Sequence, residues 1–109
     1  MFARVLEVTL KIEKKDELIQ MVRKEVLPIL KKAPGFLDVI PLFPEIAKER
    51  AIAITLWTEK RHADKYVKEV FPRVEQMLKP FLAEAITVRP FHVETKLCDH
   101  LVEALTTAA

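Results

Sequence analysis

The stretch Ala51–Phe81, AIAITLWTEKRHADKYVKEVFPRVEQMLKPF, changes its hydrophobic period once and so holds two kinds of element joined without a linker. Ile52, Ile54 and Leu56 alternate with Ala51, Ala53, Thr55 and Trp57, the period of two that gives a strand two distinct faces. From Glu59 onward Ala63, Tyr66, Val67, Val70 and Phe71 fall on one side of a helix. Pro72 interrupts that helix, and Val74, Met77, Leu78 and Phe81 resume the stripe. The break either widens the space beneath the helix or opens a new one with proline in its first turn.

The first half of the chain repeats this pattern. Phe2–Ile12 reads as a strand with Phe2, Leu6, Val8, Leu10 and Ile12 on one face and Ala3, Val5, Glu7, Thr9 and Lys11 on the other. Arg4 falls on the apolar face, where a position near the strand's end would let its stem cover core while its head stays in water. Lys14–Lys32 reads as a helix, acidic in its first turn and basic in its last, with Pro28 expected to kink it. Gly35, the only glycine, follows at the position that calls for a positive φ. Phe36–Phe43 is a second strand, and Pro44–Arg50 has the length of a hairpin connection to the third. Ile86–Thr95 is the fourth strand, and Asp99–Leu105 forms a short tail helix with Asp99 as its N-cap.

The order βαββαβ predicts an α+β, ferredoxin-like domain spanning residues 1–109. Its four-stranded antiparallel sheet takes the order 4-1-3-2, with both helices on one face. The prolines agree: Pro41 and Pro90 fall in the two edge strands, whereas the central strands, one and three, have none. Leu6, Val8, Leu10, Ile52, Ile54 and Leu56 are expected beneath the helices. The opposite face then holds Val5, Thr55 and Trp57, too apolar for water, and a second copy of the chain is the simplest cover. Val5, Thr55 and Trp57 are therefore the expected dimer face.

Charge and composition exclude several classes. Residues 1–50 carry 10 Lys and Arg against 8 Asp and Glu, and residues 51–109 carry 8 of each, so neither half is a nucleic-acid arm. The single cysteine, Cys98, rules out an internal disulfide framework and suits a reducing cytoplasm. The opening MFARVLEVTL has no pattern of a secretory leader, and no apolar run reaches the ~20 residues a membrane span needs. Cys98-Asp99-His100 are consecutive and do not converge on a metal, and one glycine cannot make a phosphate loop, so neither metal nor cofactor is expected.

Several features occur together: Gly35-Phe36 after the helix ending LPILKKAP, an apolar strand closing in Trp57, and a polar turn into a helix holding Tyr66. Over roughly residues 2–95 this resembles the antibiotic biosynthesis monooxygenase domain group of the dimeric α/β-barrel superfamily. The resemblance implies a homodimeric barrel and, in one branch, oxygenation of a flat phenol- or quinol-type compound without metal or organic cofactor. Other members of such barrels imply the alternative, a non-catalytic protein that binds a small hydrophobic ligand or serves a stress role. A haem-degrading branch carries an asparagine, a tryptophan and a histidine where this chain has Leu6, Tyr66 and Gln76, and so haem is not expected as a substrate.

For the first branch the pocket is expected between sheet and helices, lined by Leu6, Leu56, Tyr66, Phe71 and Phe81. Tyr66 would supply a hydroxyl, and His62, one turn earlier on the same helix face, or His92, on an edge strand, would take a phenolic proton near neutral pH.

Overall fold

The computed structural model describes residues 1–46 and 50–108, so part of the Pro44–Arg50 connection lies outside the described residues. Four strands, β1 (Phe2–Val8), β2 (Phe36–Leu42), β3 (Ala51–Trp57) and β4 (Thr87–His92), form one antiparallel sheet in the order β2-β3-β1-β4. This is the expected order, with Pro41 and Pro90 on the outer strands and helices packed on one face. Strand β1 ends earlier than its alternation suggests. Beyond Val8 only Leu10 pairs, in an isolated bridge to Leu82.

The first helix keeps its span by changing its winding. A short 3-10 turn (Ile12–Lys14) leads into α1 (Lys15–Met21), which passes through a π-helical stretch (Val22–Val26) into α2 (Leu27–Lys32). Pro28 explains this. It has no N–H to offer the carbonyl four residues earlier, and the turn before it loosens so that the Leu27 N–H reaches the Val22 carbonyl. Gly35 follows with φ +79°, and the His62 ring lies where a β-carbon on Gly35 would sit. The second helix is also two. Here α3 (Lys60–Glu69) ends at Val70, and α4 (Phe71–Leu78) starts afresh with Pro72 in its first turn. The tail helix α5 runs Asp99–Ala108, and the carbonyl of Cys98 accepts from the Val102 N–H, so the helix opens one residue before the expected cap.

The sheet faces are assorted differently from the expectation. Residues directly opposite in an antiparallel pair share a face. Phe2 pairs with Trp57, Arg4 with Thr55 and Leu6 with Ala53. Phe2, Leu6 and Trp57 all belong to the core beneath the helices, together with Tyr66, Phe71 and Val74. The helix face of β3 is therefore Ala51, Ala53, Thr55 and Trp57, while Ile52, Ile54 and Leu56 point to the other side. Trp57 and Thr55 are thus core residues and not a dimer face, and Leu56 is not beneath the helices. The physical reason is size. Small side chains on β3 leave room for the aromatic rings of α3 and α4, so the aliphatic row is the one turned away. A strand read one residue out of phase inverts every side chain, and β3 is such a case.

Trp57 is wholly buried. Its ring meets Phe36 edge-on at 5.5 Å and Tyr66 at 5.0 Å. Its indole Nε1–H donates to Thr55 Oγ1 at 3.1 Å, and the Thr55 hydroxyl donates to the Arg4 carbonyl. The buried polar atom of the ring is thus satisfied, and its apolar burial of ~150–250 Å² contributes on the order of 5 kcal/mol. Replacing Trp57 by Ala is expected to lower stability by about 3–5 kcal/mol in urea unfolding. A loss under about 1 kcal/mol would contradict its place in the core.

Candidate functional site

Tyr66 is where the candidate residues meet. It projects from α3 at the centre of an aromatic row, 5.0 Å from Trp57 and 6.1 Å from Phe71 between ring centroids. The side chain is buried as a whole, but its hydroxyl oxygen is not among the atoms sealed from solvent, and no described residue hydrogen-bonds to it. One edge of Tyr66 lines a cleft of about 320 Å³ between α2 and α3, shared with Pro28, Ile29, Pro34, His62 and Arg73. The cleft exists because Pro28 and Pro34 bracket the end of α2 while Gly35 draws the chain close under His62. His62 is a quarter exposed there, with Nε2 3.7 Å from Glu59 Oε2. His62 and Tyr66 therefore stand together as the helical spacing requires.

The other expected site residues separate. Leu6 and Phe71 belong to the core cluster with Tyr66, but Leu56 lies on the opposite sheet face. Phe81 is not among the cluster's members. It closes the 3-10 turn after α4, where its carbonyl accepts from the Lys11 N–H at 3.0 Å, beyond the far end of β1. His92 is exposed on edge strand β4, paired with Phe2 and so on the helix face of the sheet, on the side away from the cleft. Val5 lies on the open sheet face, half-buried.

The structure adds one residue that sequence reasoning placed wrongly. Arg4 is only 5% exposed. It is not near a free strand end with its head in water: β1 is central, so Arg4 is flanked by Thr55 on one side and Pro90 on the other, and α3 and α4 lie above it. Its guanidinium carbon stands 5.0 Å from the Phe71 ring centroid and 6.0 Å from that of Tyr66, over both rings. Nη1 is sealed from solvent and has no hydrogen-bond partner among the described residues. The available signal was a charge in phase with Phe2 and Leu6 on a proline-free central strand. The cations that line the cleft, Lys32, Lys65 and Arg73, were also not anticipated.

Burial sets the protonation of this pair. It pushes the Tyr66 phenol from 10.0 up to about 12, with the Arg4 cation opposing the rise. Burial also lowers the Arg4 pKa, against the favourable influence of Tyr66 and Asp64. Tyr66 is therefore a neutral phenol near neutral pH, able to donate or accept a hydrogen bond but unsuited to act as a base. Among the described residues no three His, Cys, Asp or Glu side chains gather as a metal site, and no helix is long and apolar enough to cross a membrane.

Tyr66 is the sole tyrosine, so its ionisation is directly readable by absorbance. The midpoint is expected at about 12. The folded state holds this proton more tightly than the unfolded chain does, so the associated stability is complete below pH ~10 and disappears as pH rises through ~12. Relative to Tyr66→Phe, the protein is expected to lose about 2–3 kcal/mol across that window. An ordinary midpoint near 10 would show the phenol to be solvated.

No protein-family model matches the sequence, and no curated protein matches it significantly. Solved structures do share its fold. A protein named as an antibiotic biosynthesis monooxygenase from Nitrosomonas europaea superposes with a TM-score of 0.69 at 12% identity, covering 86% of this chain and 99% of its own. One of the same description from Bordetella bronchiseptica gives 0.70 at 14% identity, covering 84% and 95%. The heme-degrader MhuD from Mycobacterium tuberculosis, with two hemes bound in its active site, gives 0.69 at 16% identity, covering 86% and 96%. At these identities the likeness establishes the ferredoxin-like fold of antibiotic biosynthesis monooxygenase domains. The three positions set against the haem-degrading branch offer no imidazole here. Gln76 is exposed on α4 and offers no imidazole, Leu6 is an apolar core residue, and Trp57 packs directly against Tyr66.

Proposed function

We propose that this protein binds a flat phenol- or quinol-type compound beside Tyr66 and oxygenates it as a homodimer, without metal or organic cofactor. The observation that carries this reading is the Tyr66 hydroxyl. It belongs to a side chain that is held in an aromatic row and lines a cleft next to His62, and its oxygen is not sealed from solvent. Such a cleft offers apolar walls for a ring and a few polar atoms to orient its oxygen. The fold shared with proteins named as monooxygenases points the same way.

The reaction balances with dioxygen alone. A phenol with a free para C–H plus O2 gives a para-quinone and water. One oxygen atom joins the ring, the other leaves as water, and the substrate supplies all four electrons. The chain's part is to position the phenol, hydrogen-bond its oxygen through Tyr66 and accept its proton at His62. Tyr66, with its proton held to about 12, remains a donor throughout.

Binding without turnover is the second reading. It is favoured by the complete burial of Trp57 against Tyr66, which leaves the ligand only the cleft side of the row. Thermal shift and oxygen uptake with a panel of phenols and quinols separate the two. Wild type is expected to consume oxygen with at least one compound, and Tyr66→Phe to bind it about 2- to 12-fold more weakly, the worth of one hydrogen bond. Binding with no oxygen consumed would select the second reading. No binding by any compound would remove both.

The dimer rests on the open sheet face. Ile40, Leu42 and Phe91 there are 36%, 47% and 42% exposed, beside Val5, Ile52 and Ile54. Ala3 and Leu56 on the same face are already buried within the chain, so the exposed apolar strip is the part that a second copy would cover. A cytoplasmic setting agrees with the free thiol of Cys98. Sedimentation equilibrium is expected to give twice the 12.6 kDa chain mass, and Ile54→Lys to give monomer. A wild-type monomer at micromolar concentration would remove the dimer.

A further inference from the structure

The cleft between α2 and α3 has two kinds of lining, and helix spacing sorts them. On the α3 wall His62, Tyr66 and Val70 fall four residues apart and form one buried or half-buried row. Lys65, Glu69 and Arg73, also four apart, form an exposed row beside it. The winding carries across the junction of α3 and α4, because the Val70 carbonyl accepts from the Arg73 and Val74 N–H groups. On the other wall Ile29 and Ala33 are half-buried, and Lys32, in the last turn of α2, stands exposed beside them. An apolar floor with one phenol and one imidazole is thus edged by three cations and a single carboxylate.

The three cations are unpaired among the described residues. Glu69 lies one turn from both Lys65 and Arg73, yet it bridges to neither, and Lys32 has no carboxylate partner. The same spacing on the same helix does close a bridge between Lys60 and Asp64, at 3.1 Å. Glu59, which approaches His62, is engaged by Arg61. Like charges around a concave apolar wall focus a positive potential into it.

We propose that the ligand of this cleft is an aromatic acid. Its ring oxygen meets Tyr66 and His62 on the floor, and its carboxylate, at the opposite end, stays at the rim among Lys32, Lys65 and Arg73. The inference rests on reading the cleft as the site of a phenol-type compound, and it narrows that reading to compounds with a second, charged group. The floor takes the ring because the contact removes apolar area from water. The rim takes the carboxylate because both partners keep their water there, so each pairing is weak but costs little desolvation. Because α2 reaches the cleft by its C-terminal, negative end, a singly charged group is favoured over a phosphate. About 320 Å³ lies at the small end of ligand sites and suits one or two fused rings.

Calorimetry on the full chain tests this with a hydroxynaphthoate, its hydroxyl and carboxylate at opposite ends of the fused rings, set against its methyl ester. Wild type is expected to favour the acid by about 3- to 30-fold at low salt, the combined worth of three exposed pairs, and by less at high salt. Replacing Lys32, Lys65 and Arg73 together by Gln is expected to erase the gap and leave the ester affinity unchanged. Each single replacement is expected to weaken the acid alone by about 1.5- to 5-fold. Glu69→Gln is expected to act in the opposite sense and widen the gap. All four side chains are exposed, so the variants are expected to melt with wild type. Should the triple variant melt lower, the single replacements and Glu69→Gln carry the test through their opposite signs. Equal affinity of wild type for acid and ester at low salt overturns the carboxylate anchor and leaves the aromatic cleft standing. A gap that survives the replacements places the acid elsewhere and also overturns it. Failure of both compounds to bind wild type brings down the cleft reading and the anchor together.

Discussion

The burial of one indole fixes the rest of this molecule. Trp57 can be enclosed only if it faces the helices, and its Nε1–H can be satisfied only because Thr55, two residues back on the same face, offers a hydroxyl. That requirement sets the phase of β3. It places Ala51, Ala53 and Thr55 under α3, where their small size admits the rings of Tyr66 and Phe71, and it sends Ile52, Ile54 and Leu56 to the far side. Pairing with β1 then does the same for the neighbouring strand, bringing Phe2, Arg4 and Leu6 inward. The core, the site and the apolar open face all follow from the phase of one strand.

Element order was legible because it depends on local signals: the change of period near Glu59, the glycine at position 35, and prolines confined to outer strands. The facing of β3 was not. Alternation shows that a strand has two faces, but both rows here are apolar, and row bulk alone favours putting Ile, Ile and Leu inside. Only the partners, large aromatics on α3 and α4, decide that the inner row must be the small one. The candidate site fared according to how local it was. His62 and Tyr66 are four residues apart on one helix and stay together, whereas Leu56 and Phe81 were joined to them through assumed packing and do not. Arg4 was visible as an anomaly in its row, but the depth of its burial depends on the helices above it.

Electrostatically the inward face is unusual for its polarity. A neutral phenol and an unpaired guanidinium share one aromatic enclosure, and burial acts on both in the direction of lost charge. Each moderates the other, since an ionised Tyr66 would be the nearest anion to Arg4. The fold thus keeps a positive potential in a place with low capacity to screen it, which is costly for folding.

The π-helical stretch before Pro28 has a consequence for the opposite end of the same helix pair. At about 100° per residue, twelve steps of unbroken α-helix would leave Leu18 and Leu30 about 120° apart around the axis. One residue absorbed in the wider turn reduces the effective advance to eleven steps, and the two come within about 20° of each other. Val26 falls into the same line by the same subtraction. All three are buried. The loosened turn therefore works as a phase corrector: the irregularity that proline imposes is what lets a single continuous rod keep one straight seam against the sheet over its whole length.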